Sequence, residues 1–399
     1  MCIRDSFYTS PSFFIVLAAL AIPAAACGVM ERGLKAWGMV ASAIMLAFLF
    51  GSSPAQAAAF ALFVCVACIC AYATLASWKS GKKSTVVYRV CLAATIAPLV
   101  AYKVGAVFDQ NILAFAGISY VTFKAVQVLI EIRDGLITEL RPADYLYFLT
   151  FFATITSGPI DRSRRFMDDI RRQPTRAEYL DMLSRGMLLL LLGAVFQLVI
   201  ASVAKYYYVP TRPLATPSIA YGIARQVANA YLYGIYLFFD FAGYSMMAMG
   251  ASYCFGVRTP RNFRAPFAAV DIKDFWNRWH ITLSTWLRDF VFMRFVRWAT
   301  KRKVFGSRLS CACAAYMVDM ALMGAWHGLT ADYLAYGVYH GALLAATEAY
   351  QKKSSFHRRN RDRIWYRLLS WFITMQLVFF GFALFSGQLH LIVERIING

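Results

Sequence analysis

Residues 55–78 read AQAAAFALFVCVACICAYATLASW, an unbroken run without a single charge. As a helix rising 1.5 Å per residue it spans about 36 Å, enough to cross the roughly 30 Å hydrocarbon core of a bilayer. Lipid offers the backbone no hydrogen bonds, so a helix that pairs its own N–H and C=O groups is the default structure for such a run. Similar blocks recur over 12–30, 34–51, 86–102, 112–130, 145–157, 187–204, 219–255, 311–326, 333–347 and 368–389. None alternates with a period of two, as the strands of a membrane barrel would. The reading is an all-α, polytopic membrane protein, with 13–29 as its first membrane helix. Block 219–255 is too long for one span. Block 145–157 is too short for a comfortable one and is expected to be re-entrant.

The composition agrees. Of 399 residues, 60% are hydrophobic and 16% charged, against about 45–50% and 25% in soluble proteins. A soluble enzyme, a disordered chain and a fibrous repeat are excluded. There are 41 basic and 21 acidic side chains, a net charge of +20. The basic residues lie between apolar blocks, which fits cytosolic loops and an anionic surface or partner rather than nucleic acid. The stretches 162–185, 297–308 and 352–367 are the basic ones. Two blocks separate Lys303 from Lys352, so the turn around His327 falls on the far side of the membrane or deep within it. The nine cysteines lie mostly inside apolar blocks. Even Cys65-Val66-Ala67-Cys68 reads as small buried hydrophobes, with no disulfide framework and no metal site. The prolines Pro210, Pro213 and Pro217 mark a short exposed turn.

Asp274–Thr300 differs from everything else. Trp276, Trp279 and Trp286 are interleaved with Arg278, Arg288, Arg294 and Arg297. A helix of that composition belongs in the membrane interface or along a polar cavity. Its end offers Met293, Val296 and Arg297, followed by Lys301, Arg302 and Lys303: an apolar anchor with a basic rim. It suits an acidic protein partner; anchoring to lipid headgroups is the alternative.

Ionisable groups at membrane depth are functional candidates, because holding them there is costly without a partner or water. His327 lies between Gly324 and Gly328, which permit close backbone approach. Its imidazole suits a general base near neutral pH, or else a hydrogen bond between helices. His280 follows Trp279, and His340 follows thirteen residues after His327. Asp240 is a lone carboxylate in an apolar run, placed to orient a histidine, pair with an arginine or make a structural pair. His357 reads as a solvated loop residue and His390 as interfacial. No phosphate loop, nucleophile elbow or zinc-protease motif is present.

Phe275-Trp276-Asn277-Arg278-Trp279-His280, followed later by Trp326-His327-Gly328, resembles the signature of the membrane-bound O-acyltransferase family. The segments Gly117–Gln127, Glu131–Gly135, Thr156–Arg162 and Phe290–Phe295 resemble the branch of that family devoted to teichoic-acid D-alanylation. The resemblance covers most of Gly117–His340. It implies a ring of about eleven membrane helices around a thinned centre, with re-entrant and interfacial helices, in a multi-pass protein of the bacterial cell membrane. It implies a single domain over 1–399, with N-terminal membrane helices over 1–110, a catalytic core over 111–345, and a basic loop and last helix over 346–399. It implies an acidic cytosolic carrier protein holding D-alanine as a phosphopantetheine thioester, with no cofactor bound by the chain itself. A membrane-anchored or extracellular partner protein and lipoteichoic or teichoic acid lie on the acceptor side. His327 takes the place of the catalytic base and His280 the second signature position, with Asn277, Trp326, His340 and Asp240 along the substrate tunnel or supporting it. Met293, Val296 and Arg297 are the expected carrier-docking residues. Competing readings are an alginate-type O-acetyltransferase, an anion transporter and a non-catalytic channel or scaffold. The chain shows no internal symmetry of the transporter kind.

Overall fold

Short polar side chains begin many of the helices. Ser84 Oγ accepts from the Val87 amide at 3.3 Å, Ser307 from Ser310 at 3.0 Å, Ser354 from His357 at 3.1 Å and Asp271 from Asp274 at 2.8 Å. Each satisfies an amide that the first helical turn leaves open. The computed structural model describes residues 8, 10–108, 110, 113–208 and 219–387. Among these residues there is no strand, as the apolar blocks require. The proline loop 209–218 and His390 lie outside the described residues.

The chain divides into two compact units, one holding residues up to Ala194 together with Gly243–Arg261, the other Val195–Ala242 and residues from Asn262 onward. The first unit contains α1 (Pro11–Val29), α2 (Lys35–Phe50), α3 (Pro54–Lys79), α4 (Thr85–Gly105), α5 (Ile118–Arg133), α6 (Pro142–Thr150), α7 (Ser163–Arg171) and α8 (Arg176–Ala194). α5 packs with α3, α4 and α6 and is buried on nearly every face. Its polar groups therefore need partners inside the protein. Lys124 Nζ donates to the Phe148 carbonyl at 3.0 Å and to Thr154 Oγ1 at 3.1 Å. Glu131 accepts from Ser163 and, at 3.4 Å, from Gln127 Nε2. Asp161 pairs with Arg165, which reaches Asp169 at 2.9 Å. Asp144 is held between Lys35 and Arg171, the latter at 2.6 Å. Two glycine pairs let α8 lie against residues 243–254. A Cβ on Gly250 would meet the Gly186 carbonyl at 2.5 Å, and one on Gly193 the Gly243 carbonyl at 2.6 Å. Close backbone approach through small residues is the usual way apolar helices associate in lipid.

The second unit contains a π turn at Val195–Ile200, α9 (Ala201–Tyr207) and the Ile219–Ala242 part of α10 (Ile219–Cys254). It continues with α11 (Ile272–Trp276), α12 (Ile281–Leu287), a π turn at Arg288–Phe292 and α13 (Met293–Lys301). α14 (Arg308–His327), α15 (Ala331–Lys353), α16 (Ser355–Asn360) and α17 (Ile364–Phe385) complete it. α14 and α15 form the most extensively packed helix pair.

Among the described residues, six helical segments are long and apolar enough to cross a membrane: α1, α3, α4 with its 3₁₀ extension, Arg176–Tyr207, α14 and α17. Block 219–255 is one unbroken helix of 36 residues. The short block at 145–157 is α6 and a 3₁₀ turn, both buried inside the first unit. The expected single helix over 274–300 is instead three helical pieces. A left-handed residue, His280 (φ 41°), separates α11 from α12, and the π turn separates α12 from α13.

Candidate active site

All of the geometry that follows lies within the second unit. His327 is the last residue of α14, with Gly328 beyond it in extended conformation. Four aromatic rings surround the imidazole: Trp326 at 4.6 Å, Phe385 at 4.9 Å, Tyr333 at 6.0 Å and Tyr336 at 6.4 Å between centroids. Of the three candidate histidines it alone is partly exposed. The flanking glycines do what the sequence suggests, bringing backbones together. A Cβ on Gly324 would lie 2.5 Å from the Tyr333 carbonyl, and one on Gly328 would lie 2.5 Å from the Tyr333 ring.

His280 caps α12 from the left-handed region. The chain on either side of it is tied down: the Ile281 amide donates to the Asn262 carbonyl at 2.8 Å, and Thr282 Oγ1 to Asn262 Oδ1 at 2.5 Å. The His280 ring lies edge-on to Phe241 at 4.7 Å and 6.4 Å from Trp326. Trp326 thus stands between the two signature histidines. Both His280 ring nitrogens are buried, with no hydrogen-bond partner among the described residues. Such groups are rare in folded proteins.

His340 is completely buried. Its Nδ1 accepts from the Trp276 indole N–H at 3.4 Å, and Tyr336 packs on it at 4.6 Å. It ties α11 to α15 and so fixes Trp276. Among the described residues Asp240 pairs with neither a histidine nor an arginine. Its Oδ1 accepts from Gln197 Nε2 at 3.1 Å, the structural pair left open by the sequence.

A cavity of about 190 Å³ opens beside this cluster, lined by Trp276 and Asn277, by Leu283, Ser284 and Leu287, by Arg288 and Met293, and by Tyr316, Asp319, Met320 and Met323 of α14. Those four α14 positions recur every three or four residues, so they form one face of the helix. The same face continues to His327, one turn beyond Met323. Lys273 also lines the cavity and is held by Glu348 at 2.6 Å and Gln351 at 3.0 Å. Met293 and Arg297 are exposed and Val296 is half-buried, so α13 presents an accessible basic end beside a cavity that Met293 helps to line. The structure thus brings Asn277 and Met293 to one cavity and His280, Trp326 and His327 to one aromatic cluster, with Asp240 held apart on Gln197. Asp319 carries no mark in the sequence except that it is the sole acid of block 311–326.

The profile of the membrane-bound O-acyltransferase family matches residues 52–386. The chain belongs to that family. The teichoic acid D-alanyltransferase of Bacillus subtilis is 38% identical over 390 residues, 96% of this chain and 98% of that one. The enzyme of the same name from Streptococcus thermophilus is 40% identical over 309 residues, 74% of each chain. The probable alginate O-acetylase of Pseudomonas syringae is 30% identical over 284 residues, 70% of this chain and 50% of that one. This is therefore a membrane-bound acyltransferase, as its signature segments led us to expect.

Proposed function

We propose that this protein transfers D-alanine from a phosphopantetheine thioester on an acidic cytosolic carrier to an acceptor outside the cell membrane, for D-alanylation of lipoteichoic or teichoic acid. The observation that carries the reading is the cavity whose α14 wall leads to His327. Its lining mixes apolar side chains with Asn277, Ser284 and Thr285, which suits a slender arm of alternating methylenes and amides. Similarity to two teichoic acid D-alanyltransferases over most of the chain supports the choice of acyl group. The alginate-type alternative rests on a lower identity over a shorter stretch.

In this mechanism His327 takes the proton of the acceptor hydroxyl as its oxygen attacks the thioester carbon. The C–O bond forms, the C–S bond breaks, and the imidazolium returns the proton to the departing thiolate. The acceptor is a hydroxyl of the polymer or of a membrane-anchored or extracellular partner protein. Trp326 sets the His327 ring against its aromatic cage. His280 and Asn277 face the path of the acyl group, where the unpartnered His280 nitrogens suit its carbonyl. The exposed end of α13, with Met293, Val296 and Arg297, receives the carrier.

The test uses purified protein in nanodiscs, D-alanyl-loaded carrier, and acceptor with its partners. Thioester loss is followed for wild type and H327A, with carrier binding measured in parallel. H327A is expected to bind the carrier and stop transfer. Transfer at the wild-type rate would remove His327 from the chemistry and leave a passage or scaffold for another active site. R297E combined with K301E is expected to weaken carrier binding at low salt; unchanged affinity would make α13 a lipid anchor instead.

A further inference from the structure

The cavity wall contains a carboxylate that nothing in the described residues balances. Asp319 is 8% exposed, it lines the cavity from the middle of α14, and its Oδ1 is buried with no hydrogen-bond partner. The two cations of the same wall are already engaged, Lys273 with Glu348 at 2.6 Å and Arg288 with Asp289 at 3.0 Å. A buried, unpaired carboxylate is unfavourable, and a position that only packed would do better with Asn or Leu. A cation carried by an entering ligand would supply the missing charge.

We infer that Asp319 is the counter-ion for the α-ammonium of an aminoacyl group entering on a thioester arm, and that the cavity thereby selects aminoacyl over uncharged acyl loads. The inference rests on the acyl-transfer reading above. Asp319 precedes His327 by eight residues, about 12 Å along the helix. The contact is therefore made on entry, before the acyl carbonyl reaches the base; entry is the step that limits kcat/KM at sub-saturating carrier, and Asp319 is a binding and specificity residue rather than a catalytic one. Met320, Met323 and Leu344 line the same cavity and give Asp319 apolar neighbours, among which an ion pair is stronger than at a surface. An uncharged acyl group would meet the bare carboxylate with nothing to offer it.

The test compares carriers loaded with D-alanyl and with propionyl, which has the same carbon skeleton without the ammonium. Transfer is measured at sub-saturating carrier for wild type, D319N and D319E. Wild type is expected to prefer D-alanyl. D319N should lose about tenfold or more in kcat/KM for D-alanyl, the size expected for one charged hydrogen bond. Propionyl transfer should hold steady or rise, and D319E should recover part of the preference. Carrier affinity should not change, because docking lies on α13. Equal slowing of both loads in D319N, or no change for D-alanyl, would overturn the inference. Should D319N fail to fold, the ratio of the two loads in D319E decides, and an unchanged ratio counts against it. A wild type that transfers propionyl but not D-alanyl would overturn both the inference and the choice of acyl group. One that moves neither load would defeat the acyl-transfer reading itself.

Discussion

At the scale of single residues, the site depends on conformations that ordinary helices avoid. His280 sits at φ 41°, a region that β-branched side chains essentially never occupy and that Asn enters readily. His280→Asn should therefore keep the turn between α11 and α12. His280→Val should cost about 1–3 kcal/mol through backbone strain, and thermal unfolding in detergent would separate the two. An equal fall in Tm for both would show that the ring, not the backbone angle, governs stability there. The sequence marks His327 by its flanking glycines and His280 by Trp279, and the fold brings both rings to Trp326. In sequence, His340 reads as a group along the tunnel or supporting it; neither its full burial nor its bond from the Trp276 N–H was legible, since that bond joins residues 64 apart. Asp319 and Asp240 read alike in sequence, each a lone acid among apolar neighbours. Only folding distinguishes them, giving Asp240 the Gln197 amide and leaving Asp319 at a cavity wall.

At the scale of elements, the apolar blocks located most helices to within a few residues, because a run of that length in lipid has no alternative to helix. The interruptions escaped. The segment 274–300 has helical composition throughout, and neither the left-handed break at His280 nor the π turn at Arg288–Phe292 has a glycine or proline to announce it. Periodicity also failed at α5, whose apolar character comes from burial within the first unit rather than from contact with lipid. The α14–α15 pair carries both His327 and Asp319, so its spacing should control activity. A Cβ on Gly337 would lie 2.5 Å from the Met320 carbonyl and 3.0 Å from the Gly324 Cα. Gly337→Ala should then force the helices apart at a cost of about 1–3 kcal/mol and lower transfer. Gly306, with open space around it, is the control: Gly306→Ala should stay within about 0.5 kcal/mol of wild type. Full activity and an unchanged Tm in Gly337→Ala would refute the close-packing account.

At the scale of the whole molecule, charge decides two behaviours. Asp144 couples α6 to α2 and α7 through Lys35 and Arg171. Burial alone would raise its carboxyl, but the two cations outweigh burial and hold it below the usual carboxylate range. Its folded value therefore lies below the unfolded one of about 3.9. The stabilisation is complete above that value and fades as the pH falls through the folded one. Asp144→Asn should lower the Tm at neutral pH and flatten the acid limb of the Tm–pH curve. An acid limb identical to wild type would assign acid sensitivity to other carboxylates. The net charge of +20 and the exposed basic end of α13 predict that association with an acidic carrier slows as salt rises from ~10 to ~150 mM, where the screening length falls from about 30 to 8 Å. A salt-independent on-rate would make docking apolar. The Arg288–Phe292 π turn has a further consequence of a different kind. A π turn takes up about one residue more than an α turn, and one residue rotates everything downstream by roughly 100° about the helix axis. Met293, Val296 and Arg297 are thus aimed by a phase shift rather than by sequence spacing. A chimera that borrowed this segment from a relative lacking the extra residue would keep every side chain and misdirect the lot. Grafts between branches of the family must match phase before they match identity.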